Sequence, residues 1–264
     1  MAQSPSISLQ DRSRFVRLIT EFSVNKPHSA DYNLAERLGS FVGVSGSMNL
    51  ARGLRKSASE LDGSGRVSEV SANVEGIKDD FLSSRKRMIR NIVRGFSDDT
   101  DQAQASVPSE ATGVRAEALK TFDPYRRFYT SHQIEMAVSI KDLRGRVRTA
   151  MSRLSPELQS LAQLDTTLDE SLEAHTRKQF SIAPKVLEQR FKELIASAVD
   201  LGRNDSDDEI DLNDDWLNDF YANMRELLLA ELDLRMQPVV GLLEALIENS
   251  DVLSAELNEI TDIK

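Results

Sequence analysis

The chain contains no cysteine. Disulfides, thiolate nucleophiles and cysteine-ligated zinc or iron–sulfur centres are therefore excluded, and a reducing compartment fits. Aromatic residues are scarce at 6% of 264 positions, with one tryptophan, and there are only 12 glycines and 7 prolines. Few breakers among many Leu, Ala, Glu and Arg residues favour helices, because unbranched side chains lose little rotamer freedom there. No segment reaches the roughly 18 uncharged apolar residues of a membrane span. Glu231, Asp233 and Arg235 interrupt the best candidate. The N-terminal MAQSPSISLQDRSRF lacks the apolar core of a secretory signal. The expectation is a cytoplasmic protein with no direct membrane insertion.

Site chemistry is equally sparse. His28, His132 and His175 stand far apart, and none has a glutamate three residues before it, as a di-iron bundle would need. There is no His-Glu-x-x-His, no phosphate-binding glycine loop and no Gly-x-Ser-x-Gly elbow. No catalytic residue, metal site or cofactor is expected. The acidic run at 204–215 imitates a calcium loop, with Asp205, Asp207, Glu209, Asp211 and Asn213. Ile210 and Trp216 stand where that loop requires glycine and glutamate. It reads as an acidic loop leading into a helix.

What the chain does have is amphipathic periodicity. Phe15, Leu18, Ile19 and Phe22 give 9–22 one apolar face, and patterns over 30–42 and 47–56 complete a small N-terminal three-helix unit within residues 1–60. The stretch 34–55 loosely suggests a helix-turn-helix, but Ser40, Phe41, Val42 and Gly43 lengthen its turn. Two core helices joined by a glycine turn is the simpler reading. Val67, Val70, Val74, Ile77, Phe81 and Met88 then follow a 3-4 spacing, which predicts a long coiled-coil-like helix over 66–96. Arg85, Arg87 and Arg90 crowd its C-terminal end, where cations complement the helix dipole and offer a face to an acidic partner. Residues 97–120 lack a period and read as a flexible linker.

Asp123 and Pro124 start a helix as cap and first residue, and Ser155 and Pro156 start the next. Ala183-Pro184 breaks the pattern again, so 121–201 reads as three antiparallel helices in one bundle core. Arg144, Arg146, Arg148 and Arg153 lie on the first of them. An acidic loop follows at 202–215, and 216–264 forms a C-terminal helix with a kink or stop near Met236, ahead of Pro238. This is the densest apolar stretch and the element around which the rest packs. Trp216, Phe220, Leu227, Leu228 and Leu234 are its core or partner anchors, while Glu226, Glu231 and Asp233 read as its solvated border. The tail towards Lys264 is expected to fray.

Charge is unevenly spread. Residues 205–264 hold 17 acidic and 3 basic groups, and the other 204 hold 26 acidic and 30 basic. An acidic third on a mildly basic body attracts basic surfaces or folds back on its own chain. The fold class expected is all-α, an elongated helical bundle with long coiled-coil-like helices.

Two patches carry a family resemblance: FVRLITEF with LAERLGSFVG near the N-terminus, and FDPYRRFYTSHQIEMA with LLLAELDLRMQPVVGLLEAL further on. They resemble an uncharacterised bacterial family of helical proteins, a domain of unknown function. Its members tend to be encoded beside an inner-membrane protein with long helices and an outer-membrane-protein-A-type protein, neighbours that resemble ion-driven envelope motors. The resemblance implies a cytoplasmic accessory subunit, peripheral to the inner membrane through a protein partner that is an envelope-complex component. It implies no reaction. The expected function is a non-enzymatic helical adaptor. The alternatives are a nucleic-acid-associated regulator using 30–56 and the arginine clusters, and an enzyme on a helical scaffold with a site assembled only by folding.

Overall fold

Two of the helix starts are fixed by a serine cap. A computed structural model describes residues 13–23, 67–96, 106–108, 120–202 and 215–261. Among them are six helices and no strand: α1 (Arg14–Phe22), α2 (Val67–Gly95), α3 (Asp123–Leu154), α4 (Pro156–Phe180), α5 (Ile182–Gly202) and α6 (Asp215–Thr261). The protein is an all-α bundle. Of the N-terminal three-helix unit, only α1 is described. The patterns at 30–42 and 47–56 lie outside the described residues.

Ser13 caps α1 by accepting a bond from the Val16 amide at 3.4 Å, so the described helix begins at Arg14. Ser155 does the same for Leu158 at 3.2 Å, with Pro156 as first residue of α4. At α3 the start falls one residue earlier than expected. The Arg126 amide bonds the Phe122 carbonyl at 2.9 Å, which makes Phe122 the cap. Asp123 instead sits in the first turn, where a carboxylate suits the positive helix end and lies 3.4 Å from Arg126. The break assigned to Ala183-Pro184 occurs at Ser181. That leaves Pro184 in the first turn of α5, where its missing N–H has no intrahelical partner to lose.

The largest departure is at Pro238. Of the kink or stop expected there, the stop does not occur: α6 continues through Pro238 as one bent helix of 47 residues. The proline removes one amide, so the Leu234 carbonyl cannot receive its usual bond. Tertiary packing on both sides outweighs that loss, because Leu232, Met236, Val239, Leu242 and Leu246 are all buried.

The chain divides into two compact units. Unit 1 comprises Met1–Tyr32, Ile89–Met136 and Gln179–Leu234, and unit 2 comprises Asn33–Met88, Ala137–Lys178 and Arg235–Lys264. One division falls between Leu234 and Arg235, at the carbonyl that Pro238 deprives.

Unit 1 gathers most of the few aromatics. Phe191 lies 5.8 Å from Phe122, 5.3 Å from Tyr125, 5.6 Å from Trp216 and 5.1 Å from Phe220, edge to face with Trp216 and Phe220 and tilted against the other two. Phe15 of α1 meets Phe180 at 5.5 Å. Such pairs add about 0.5–1.5 kcal/mol beyond the area they bury. Within the expected linker, residues 106–108 are held at both ends. The Val107 amide donates to the Gly95 carbonyl at 2.7 Å, and the Tyr221 hydroxyl donates to the Pro108 carbonyl at 2.7 Å. Val107 is buried there.

Unit 2 is built differently. Val74, Phe81 and Met88 of α2 repeat every seven residues on the buried side, the seam expected for this helix. They belong with Ile140, Leu143, Val147 and Met151 of α3 and Val239, Leu242 and Leu246 of α6, all buried.

Candidate functional site

Polar groups inside unit 1 are the first place to look for chemistry. Five of the six side chains from Leu227 to Leu232 are buried, so α6 is enclosed nearly all round there. Glu231 is caught inside, fully buried, which corrects its reading as part of a solvated border. Spacing explains this: Glu231 lies seven residues after Met224 and four after Leu227, on the same inward stripe. Tyr129 donates its hydroxyl to Glu231 Oε2 at 2.8 Å, and Gln133 Nε2 lies 2.9 Å from both carboxylate oxygens. Gln133 Nε2 also reaches the Phe180 carbonyl at 3.1 Å, tying α3, α4 and α6 together. Burial of a carboxylate demands such donors. Both Tyr129 and Glu231 have no exposed surface. The cluster is a structural clasp, since acid–base catalysis needs contact with a substrate proton.

His132, one turn from Phe128 and with its ring 4.6 Å away, is also buried. Burial lowers its pKa against an opposing pull from Glu135. Its Nε2 has no hydrogen-bond partner. Tyr125 is pushed well above the ordinary tyrosine value by burial, reinforced by Tyr221. Both groups are therefore neutral members of the core.

At the start of α3 a cleft of about 390 Å³ opens between Phe122, Arg126, Glu188, Lys192 and Ile195. Glu188 accepts from Lys192 at 2.9 Å and from Arg126 at 2.9 Å. These bonds, led by that of Lys192, lower its pKa. The Arg126 guanidinium also sits 5.3 Å from the centre of the Phe122 ring.

In unit 2 the arginines of α3 meet aspartates of α4. Arg144 Nε donates to Asp165 at 2.8 Å and Nη1 to Asp169 at 2.6 Å. Arg148 Nε reaches Asp165 at 2.6 Å and Nη2 reaches Asp169 at 3.0 Å. Two arginines at i and i+4 thus clamp two aspartates at i and i+4. Sequence reading considered these arginines for nucleic acid and missed their partners. The signal was there: matched spacing of opposite charge on helices joined by one residue. Arg146 turns the other way, to Asp80 of α2 at 2.7 Å. Beyond it lies an open groove of about 720 Å³ lined by Ile77, Lys141, Gly145, Thr149 and Arg153, among others.

The residues chosen as anchors separate into two groups. Phe220, Leu227 and Leu228 are fully buried within the chain. Trp216 and Leu234 are half-buried, Trp216 against Phe191. On α2, Arg85 is half-buried and engaged with a partner, while Arg87 and Arg90 are exposed. The outward side of α2 carries apolar groups that the sequence reading overlooked. In unit 2 it exposes Leu82 (61%) one turn before Lys86, and in unit 1 Val93 (43%) one turn after Arg90. On α3, Ile134 (62%) in unit 1 and Val138 (56%) in unit 2 are exposed too.

Among the described residues no helix is long and apolar enough to cross a membrane. Nor do three or more His, Asp or Glu side chains there converge as metal ligands. The chain belongs to the family described as protein of unknown function (DUF3348), whose model matches residues 1–248. No curated protein and no solved structure matches it.

Proposed function

We propose that this DUF3348 member is a non-enzymatic helical adaptor, an accessory subunit that docks a partner protein on the outward side of α2. The observation that carries the reading is the exposure of Leu82 one turn before Lys86. A large apolar side chain left in water beside a cation suits a helix that offers leucine-like and acidic groups together. The polar groups of the interior support the same reading, because Glu231, Tyr129, Arg144 and Arg148 are engaged in holding helices together. The resemblance to a family encoded beside envelope components makes a membrane-anchored complex the proposed setting, with this chain on its cytoplasmic side.

The test is affinity capture of the tagged chain from native membranes, followed by mass spectrometry. The wild-type chain is expected to recover an envelope protein, and Leu82→Asp combined with Lys86→Glu is expected to lose it. Recovery of no envelope protein by the wild type sinks the membrane setting. Equal recovery by both chains sinks α2 as the docking face. Circular dichroism of the variant separates lost docking from lost folding.

A further inference from the structure

Two outward ridges of unit 2 carry opposite charge and the same unusual centre. On α3 the ridge reads Lys141, Gly145, Thr149, Arg153, each one turn after the last. On α6 it reads Gln237, Gly241, Glu244, Glu248, spaced four, three and four residues apart. Lys141, Thr149 and Arg153 are exposed, as are Gln237, Gly241, Glu244 and Glu248. Lys141 and Arg153 form no ion pair among the described residues, and neither do Glu244 and Glu248.

The glycines call for a physical reason. Glycine in a helix interior costs about 1 kcal/mol relative to alanine. A Cβ at Gly145 or Gly241 would meet nothing within 4 Å. Crowding inside the chain therefore explains neither. What both allow is close approach of another backbone, because the distance between packed helices is set by the side chains at the crossing. Around Gly145 the approach is already shaped: it lies in the groove of about 720 Å³, with Lys141 and Arg153 towards the ends of the ridge. Twelve helical residues place those two cations roughly 18 Å apart along the axis.

We infer that the occupant of the α3 ridge is the α6 ridge of a second copy of this chain. Gly145 and Gly241 form the crossing point; Glu244 and Glu248, both C-terminal to Gly241, run towards Arg153 if the two helices cross parallel and towards Lys141 if they cross antiparallel. The charge complementarity belongs to the chain itself, whose last 60 residues carry 17 acidic and 3 basic groups. It is strongest where each ridge leaves its charges unpaired. Opposed ridges of this kind steer encounter and fix register. The inference stands apart from docking on α2, which uses other residues.

Sedimentation equilibrium of the full chain tests it. Reversible self-association is expected, weaker at high salt. Lys141→Glu with Arg153→Glu should weaken it about tenfold or more, and so should Glu244→Lys with Glu248→Lys. Each doubly substituted chain then bears ridges of one sign. An equimolar mixture of the two restores complementary ridges and should associate as the wild type does. That recovery also shows that both variants fold. A wild type that stays monomeric at every concentration and salt overturns the inference. So does undiminished association of either variant alone, or a mixture that fails to recover. Capture of a partner through α2 by a monomeric chain would overturn this inference and leave the adaptor reading standing.

Discussion

The two compact units solve the same packing problem with different materials. Unit 1 spends the scarce aromatics: Phe122, Tyr125, Phe128, Tyr129, Phe180, Phe191 and Phe220 are buried there with edge-to-face ring contacts. Unit 2 has one buried aromatic among its described residues, Phe81, and fills its interior with Leu, Val, Met and Ile. Its helices are joined at the edges by ionic clamps, Arg144 and Arg148 on Asp165 and Asp169, and Arg146 on Asp80. A few large rings fix neighbours through shape and burial. Slender aliphatic side chains fix them less specifically, and paired charges at the rim supply register.

The contrast predicts where each unit breaks. Phe191→Ala in unit 1 should be the most damaging, since it empties a site shared by four rings. A loss of about 3–5 kcal/mol in denaturant-derived stability is expected. A loss below 1 kcal/mol would end the claim that the aromatic cluster holds unit 1. Asp165→Ala should cost less, about 1–3 kcal/mol, because both arginines lose an acceptor in a partly screened place. Its cost should shrink in high salt, while that of Phe191→Ala should not. Equal salt response of the two would erase the distinction.

A third test uses pH. Burial lowers the His132 pKa in the fold, while the unfolded imidazole keeps a value near 6.5. As pH falls through that value the unfolded chain takes up the proton first. The stability present above it is then lost progressively, down to the lowered folded value. His132→Gln should flatten the decline below about pH 6.5, measured as denaturation midpoints. An unchanged slope would move the acid sensitivity elsewhere. The smallest effect belongs to unit 2: Gly76→Ala on α2 should stabilise by about 0.5–1 kcal/mol, as its Cβ meets nothing.

Helices were readable because their period and caps are local. The seam Val74, Phe81, Met88 is buried as its spacing required, and Ser155 with Pro156 opens α4 as cap and first residue. Leu227 and Leu228 stand on the same local apolar period, and both are buried. Glu231 was misread because hydropathy alone places a carboxylate outside. Only the donors brought by α3, Tyr129 and Gln133, make its burial affordable. At Pro238 the local argument left a kink or a stop open, and the packed side chains on both sides decided against the stop, leaving one bent helix.

The sequence by itself determined that the chain is helical, where most helices begin, which faces are apolar and that charge is divided along its length. Those properties depend on residues within a few turns of one another. Tertiary structure decided which charges are buried, which arginines are engaged and which large apolar groups stay in water. Arg144 is held by Asp165, and Leu82 stands exposed on a helix whose other side is packed. Each outcome depends on what another segment brings alongside, so a signal such as the matched spacing of Arg144 and Arg148 with Asp165 and Asp169 gains its meaning only when the helices pair.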